Sequence, residues 1–408
     1  MSFIKRVSGF TIGNTISSVF SYLSLLCLSR YLSGSELGSF FLFQSIYLTI
    51  ELILSFQLSN IVSRHLNFER DKKSFKFNIV SIEISIYFLA FILIFVIYSV
   101  IVKISYTDNP IWFIYVFLPF VFKPIGSVQG VLRFYSKEQV IACYNIVLAS
   151  IRLIAILLIN PSLAHALLIY ATSELILNII IFLFLFSKKY IFLDRLKMSK
   201  YKYLLVDGLK INASSIIMLP FNNADVIFLS IFFNPALISE YKMIRKLGGF
   251  VGKVINPVNS VLYTYICKYY ALVMLADLRK AIHKVNYIVF CVILIIMLFI
   301  VLYIQTDFIG QILAYLLNFI INPWHLCVLV SEITLVLSST YSMFLFGMKR
   351  DNIEIYLSLL ISFLFIICGI LISLISNTGI ALSMVFLIPV LSVFVLRLYI
   401  SNNLIKKL

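Results

Sequence analysis

Glu240 to Ser260 reads EYKMIRKLGGFVGKVINPVNS, a membrane-length stretch that carries charge where a spanning helix ordinarily carries none. Wound at 3.6 residues per turn, it gathers Lys242, Arg245, Lys246, Gly249, Lys253, Asn256 and Ser260 on one narrow face. Met243, Ile244, Leu247, Phe250, Val251, Val254 and Ile255 cover the other side, which reads as lipid-facing. Lys242 to Lys253 covers roughly 16 Å, about half of a hydrocarbon core of about 30 Å. Lys242, Arg245 and Lys246 stand near enough to the helix end to snorkel to the headgroups. Lys253 is too deep for that, because a mid-bilayer lysine costs about 3 kcal/mol or more unless it faces water or a partner. Pro257, one turn on, predicts a kink. Four cations on one stripe predict a wall that receives an anion.

The rest of the chain is of the same kind. Of its 408 residues 62% are hydrophobic and 12% charged, and its mean hydropathy is +1.05, which excludes a soluble domain. Apolar runs of membrane length recur throughout, without the alternating segments of an outer-membrane barrel. The fold class is therefore an all-α polytopic membrane protein. The net charge of +16 lies mostly in short loops, where it sets topology and gives no reason to invoke nucleic acid. The six cysteines form no CxxC and no metal-ligand cluster, so they read as packing residues and no metal site is expected. The four histidines are scattered, no paired-carboxylate or nucleophile arrangement stands out, and no GxxxxGK[ST] phosphate loop is present. The chain does not read as an enzyme. Lys5 and Arg6 precede an apolar segment longer than a signal-peptide core, which is expected to be retained as the first span.

Apolar stretches between polar breaks predict twelve spans, near 8 to 31, 37 to 62, 77 to 102, 111 to 132, 140 to 160, 164 to 186, 204 to 233, 238 to 266, 285 to 304, 324 to 347, 353 to 375 and 379 to 400. The loops on one side of this arrangement collect most of the 33 Lys and Arg residues, and those on the other hold only Arg30 and Lys103. Both termini are thus expected in the cytoplasm.

The two halves read as a weak repeat. Leu32-Ser33-Gly34-Ser35-Glu36-Leu37-Gly38-Ser39-Phe40 after span one resembles Phe233-Asn234-Pro235-Ala236-Leu237-Ile238-Ser239-Glu240-Tyr241 after span seven. Asn109-Pro110 before span four likewise echoes Asn322-Pro323 before span ten. Each half holds an even number of spans, so residues 1–203 and 204–408 are expected to be two six-helix bundles, parallel repeats around a central cationic cavity.

Other polar residues fall inside the spans. Asn14 with Ser17, Ser18, Ser21 and Ser24 forms a stripe on span one, and Ser215, Asn222 and Asp225 answer it on span seven, near a break expected at Pro220. Small-residue helix packing explains the serines equally well, but not Asp225. Glu51, Lys123 beside Pro124, Arg152, Glu174, Lys210 and Glu332 either line a cavity or form static ion pairs. Glu83 and Arg397 read as snorkelling at the cytoplasmic edge. Lys242, Arg245, Lys246, Lys253, Arg30, Lys123, Arg152 and Lys210 are the candidate substrate contacts. Asp225, Asn222, Glu51, Glu174, Glu332 and Asn14 are the candidate coupling and polar-cavity residues.

Six plus six spans, short loops and a basic mid-membrane lining resemble the polysaccharide flippases, the O-antigen (Wzx-type) members of the superfamily that includes MATE multidrug extruders and lipid II flippases. Arg30-Tyr31-Leu32 through Gly38, Gln129-Gly130 with Arg133, and Asp225 with Leu229 and Tyr241 carry the local likeness. Ser33 and Glu240 depart from it, since related sequences tend to have glycine there. The resemblance implies translocation of an undecaprenyl-diphosphate-linked oligosaccharide, an O-antigen repeat unit for lipopolysaccharide, to the outer leaflet of a bacterial inner membrane by alternating access. It implies no cofactor, H+ or Na+ coupling, and partnership with polysaccharide polymerase and chain-length machinery. An O-antigen polymerase would need a sizeable outer loop, and a drug extruder of the same fold would suit cationic cargo better than a four-cation stripe does.

Overall fold

The computed structural model describes residues 3–56, 58–59, 62, 66, 72–105, 111–135, 137–192, 194, 206, 212–213, 216–222, 224–249, 252, 287, 291, 322–348 and 350–407. Lys210, Lys253, Asn256, Pro257, Ser260, the side chain of Asn222 and most of the span expected over 285 to 304 lie outside the description. The described chain is helical: α1 (Phe3–Tyr31), α2 (Gly34–Leu54), α3 (Lys72–Ser105), a 3-10 helix (Ile111–Val121), α4 (Ile125–Phe134), α5 (Glu138–Ile159) and α6 (Leu163–Ser187) come first. The short α7 (Leu219–Asn222) and α8 (Asp225–Leu229) follow, then α9 over 235–249, α10 (Pro323–Gly347), α11 (Asp351–Ile375) and α12 (Gly379–Lys407). Among the described residues eight helices are long and apolar enough to cross a membrane. The 3-10 helix and α4 meet at 43° and add a ninth span if the pair is counted as one. The protein is a multi-pass helical membrane protein.

Two compact units divide the chain, residues 1–32 with 39–216 and residues 33–38 with 217–408. The sequence placed the division at 203/204, thirteen residues before the second unit's long segment begins at Ile217.

In the first unit the break in the fourth span has a chemical cause. Pro119 and Pro124 withhold backbone donors on either side of Lys123, so the helix cannot run through. The N-terminus of α4 is then satisfied from another helix. The Glu83 carboxylate accepts from the backbone N–H of Gly126 at 2.9 Å and of Ser127 at 2.7 Å, and from the Ser127 hydroxyl. Glu83 is buried and does not snorkel, because these orphan donors give its charge a use inside the protein. Gly130 brings α4 against the segment after α2, where Leu58, Val62 and Leu66 pack with Phe75, Ile79 and Val131. The second span also ends earlier than expected, as α2 stops at Leu54 and Phe56 turns the chain with a left-handed φ of 44°. From the polar stripe of α1, Ser17 and Asn14 serve helix packing, Ser17 Oγ donating to the Asn145 carbonyl at 2.9 Å and Asn14 Oδ1 accepting from Asn145 Nδ2 at 3.2 Å, while Ser18 and Ser24 donate to carbonyls of α1 itself.

In the second unit Phe221 stacks on Phe386 at 4.9 Å and meets Phe365 edge-on at 5.4 Å. The α9 face expected to meet lipid is instead packed within the unit, with Met243 and Ile244 buried. Amphipathic patterning shows that a face is apolar; whether lipid or protein covers it depends on neighbours far away in sequence. Arg397 is also buried, 4% exposed, where a guanidinium–carboxylate pair with Glu354 and a 2.8 Å hydrogen bond to Ser338 Oγ tie α12 to α11 and α10.

The two turns related by the internal repeat lie against one another inside this unit. A Cβ on Gly38 would collide with the backbone of Pro235, and one on Gly34 would touch the Ala236 Cβ at 3.4 Å. Ser33 and Glu36 form a capping box for α2, the Ser33 N–H donating to Glu36 Oε2 at 2.9 Å and the Glu36 N–H to Ser33 Oγ at 3.3 Å. Asn234 Oδ1 accepts from the Ala236 N–H at 2.9 Å, with Pro235 opening α9. Neither Ser33 nor Glu240 has a positive φ, so no glycine is needed at either.

A methyl group on Gly130 would sit 2.6 Å from Val62 Cβ and 2.8 Å from the Ser59 carbonyl, whereas one on Gly249 would meet nothing within 4 Å. Gly130→Ala is expected to lower stability by about 1 to 3 kcal/mol. Gly249→Ala is expected to be neutral or stabilising by up to about 1 kcal/mol. Thermal unfolding of the two purified variants in detergent tests the pair.

Candidate functional site

The first unit holds an ion cluster built from four separate elements. Tyr47 and Glu51 lie one turn apart on α2, Lys123 sits at the break before α4, Arg152 comes from α5 and Glu174 from α6. Lys123 is 1% exposed, and its ammonium reaches Glu51 Oε1 at 3.0 Å and Glu174 Oε1 at 2.6 Å. It also donates to the Tyr47 hydroxyl, which in turn donates to Glu174 Oε1 at 2.6 Å. Arg152 holds the other oxygen of Glu174 at 3.1 Å and binds the Tyr170 carbonyl at 2.9 Å and Ser173 Oγ at 3.1 Å. Its guanidinium lies 4.5 Å from the Tyr170 ring centre, and Lys123 lies 4.7 Å from that of Tyr47. Two cations and two carboxylates balance. In a low-dielectric span that balance is what makes ionised groups tolerable.

A cavity of about 260 Å³ opens beside this cluster. Glu51, Lys123, Arg152 and Glu174 form its charged wall, Gln44 and Gln129 add amides, and Phe40, Tyr144 and Tyr170 supply aromatic faces. Gln44, Tyr47 and Tyr144 were not singled out from sequence. A signal existed, because residues 44, 47, 48 and 51 recur at helical spacing on one face of α2 and all line the cavity. Gln129 had been noticed only as part of a motif.

The second unit holds a matching cluster around Asp225, which is fully buried in the first turn of α8. Lys242 donates to its two oxygens at 3.0 and 3.2 Å, the Tyr241 hydroxyl donates at 3.0 Å, and Arg245 Nη1 pairs with Oδ2. Arg245 Nε also reaches Glu332 Oε2 at 2.8 Å, and the guanidinium lies 4.6 Å from the Phe386 ring centre. Gly248 makes room for the Glu332 stem, since a Cβ there would sit 2.9 Å from the Glu332 Cβ. Glu240 and His325 pair at 2.9 Å, while the Asn322 N–H donates to His325 Nδ1, which assigns the Nε2 proton to Glu240.

These contacts change the reading of the 240 to 260 stripe. Lys242 and Arg245 are committed to Asp225 and Glu332 and do not form an open wall. Lys246 is half-buried on the same helix with contacts of its own, and Lys253 lies outside the described residues. Arg30 is exposed at the last turn of α1, and Asn14 belongs to the α1–α5 contact. Among the described residues no group of three His, Cys, Asp or Glu side chains converges as a metal site would.

Residues 3–270 match the family model described as polysaccharide biosynthesis protein. The chain belongs to that family. Among solved structures it resembles an outward-facing multidrug-resistance MATE transporter of the MOP superfamily, with TM-score 0.67 and 12% identity over 99% of this chain and 95% of the other. A mutant of the Vibrio cholerae MATE transporter VcmN follows at TM-score 0.65 and 12% identity, covering 99% and 97%. A MOP-superfamily transporter from Pyrococcus furiosus, described as having a binding pocket of reversed polarity that suggests a different function, gives 0.64 at 12% identity, covering 99% and 95%. A search of curated proteins returns no match. This member of the polysaccharide biosynthesis family therefore has the fold of MATE transporters.

Asp225→Asn leaves Lys242 and Arg245 facing one carboxylate where they had two, and is expected to cost about 3 to 5 kcal/mol of stability. Adding Lys242→Met to that variant restores the balance and is expected to recover part of the loss, as read by unfolding in detergent.

Proposed function

We propose that this protein is a flippase that carries a lipid-linked oligosaccharide, anchored by a diphosphate, from the inner to the outer leaflet of a bacterial inner membrane. Its cargo is an undecaprenyl-diphosphate-linked repeat unit of the O-antigen kind. It works without enzymatic chemistry, both termini are cytoplasmic, and twelve spans form two six-helix halves that rock around the cargo. The observation that carries this reading is the cavity beside Lys123, in a polysaccharide-family chain of transporter fold. Its aromatic rings offer flat apolar faces to the C–H sides of sugar rings, and its amides, hydroxyls and charges offer partners for sugar hydroxyls.

The charge balance of the cluster suggests how the charge of the cargo is met. A diphosphate brings about two negative charges into a site whose own charges already cancel, so Lys123 and Arg152 cannot serve it while Glu51 and Glu174 hold them. Binding of H+ or Na+ at the carboxylates frees the cations and neutralises the loaded site. Glu51, the more exposed carboxylate at 27%, is the entry point for that cation. Polysaccharide polymerase and chain-length proteins receive the product in this scheme.

Cells lacking the protein are expected to accumulate the lipid-linked repeat unit in the cytoplasmic leaflet. Lys123→Met at normal expression is expected to reproduce that accumulation, whereas Lys406→Gln is not. Single units that reach the outer leaflet but stay unjoined would assign the chain to polymerisation and overturn the flippase reading.

A further inference from the structure

Where α3 begins and α6 ends, the first unit gathers lysines among aromatic rings. Lys72 and Lys73 are exposed, and their ammonium groups lie 5.3 and 5.1 Å from the ring centres of Phe134 and Phe192. One turn on, Lys76 is 3% exposed. It donates to the Tyr135 hydroxyl at 2.8 Å and stands 5.0 Å from that ring's centre. The Tyr135 ring rests on Tyr190 at 4.8 Å, in the turn that follows α6 and carries the exposed Lys188 and Lys189.

Lys76 differs from the other buried cations of the described chain. Lys123, Arg245 and Arg397 each touch a carboxylate. The polar partner of Lys76 among the described residues is a neutral phenol. A phenol leaves the ammonium charge uncompensated, and a buried charge is tolerated only beside an opposite one. The Tyr135 hydroxyl, accepting from Lys76, still has its own proton to donate. Among the described contacts of Lys76 the cluster therefore presents cationic donors and a phenolic donor and no carboxylate. It stands at the ends of two helices long and apolar enough to cross a membrane, and none of its residues lines the cavity beside Lys123.

We infer that this cluster is a binding site for the phosphate of an anionic phospholipid headgroup, in the leaflet that faces the basic loops. Lys76 and Tyr135 supply the charge-assisted contacts, and Lys72 and Lys73, braced on their aromatic rings, flank the headgroup. Binding there would hold the end of α3 against α4 and the turn after α6.

The test is native mass spectrometry of the purified full chain with dioleoylphosphatidylglycerol or dioleoylphosphatidylcholine. Selective retention of phosphatidylglycerol is expected, with an affinity roughly fivefold lower in Lys76→Met. A similar loss is expected in Tyr135→Phe, an exposed change that leaves the fold in place, and none in the equally charge-reducing Arg350→Gln. Equal binding of the two lipids, or undiminished binding in both Lys76→Met and Tyr135→Phe, would overturn the site. Displacement of phosphatidylglycerol by equimolar farnesyl diphosphate would overturn its assignment to phospholipid.

Discussion

An ionised group inside a membrane span must find its opposite charge within reach, and most of what is distinctive in this molecule follows from that constraint. Lys123 has almost no exposed surface, so its ammonium is stable only because Glu51 and Glu174 stand within 3.0 Å. Meeting that condition fixes four elements at once: α2, the proline break, α5 and α6. In lipid, apolar packing gains little by choosing one helix neighbour over another, since hydrocarbon tails are equally apolar. The ion cluster supplies the discrimination that hydrophobicity lacks there. The Asp225 cluster does the same for α8, α9 and α10 in the second unit, again with two cations and two carboxylates.

The broken backbone obeys a parallel rule. A helix interrupted inside a span exposes donors that water cannot satisfy at that depth, and at the start of α4 a side chain from elsewhere takes the place of water. Glu83 closes the N-terminus of α4, and that closure holds Lys123 and Gln129 at the cavity wall. Local caps suffice at the membrane edges, as at Ser33, Asn234 and Thr378. The interior break before α4 is satisfied by a distant carboxylate, and these edge breaks by their own sequence neighbours.

That distinction also explains how much could be read from the sequence. The spans over α1, α3, α5, α6, α10, α11 and α12 were legible because long apolar runs and turn residues are local signals. The capping box at Ser33 and Glu36 has the standard spacing, whereas the fourth span was read as continuous although Pro124 stands beside Lys123. Charged residues were correctly recognised as lying in spans, but their partners were not legible. Arg245 and Glu332 are far apart in the chain, and no periodicity relates them. Glu83 and Arg397 were expected at the membrane edge because position along a helix is local information, whereas their use as a cap and as a buried pair is not. For the same reason the α9 stripe looked like an open cationic wall until Asp225 and Glu332 were seen against it.

The central claim is that this fold moves a saccharide-bearing lipid between leaflets. Reconstitution into liposomes with a fluorescent lipid-linked oligosaccharide in one leaflet tests it most directly, with glycosidase in the medium reporting how much sugar is exposed outside. The account predicts that the protein brings the inner-leaflet pool to the enzyme at a rate that protein-free liposomes do not show, and that an H+ or Na+ gradient changes the final distribution. A pool that stays protected at the protein-free rate, with folded protein present in every vesicle, would contradict it.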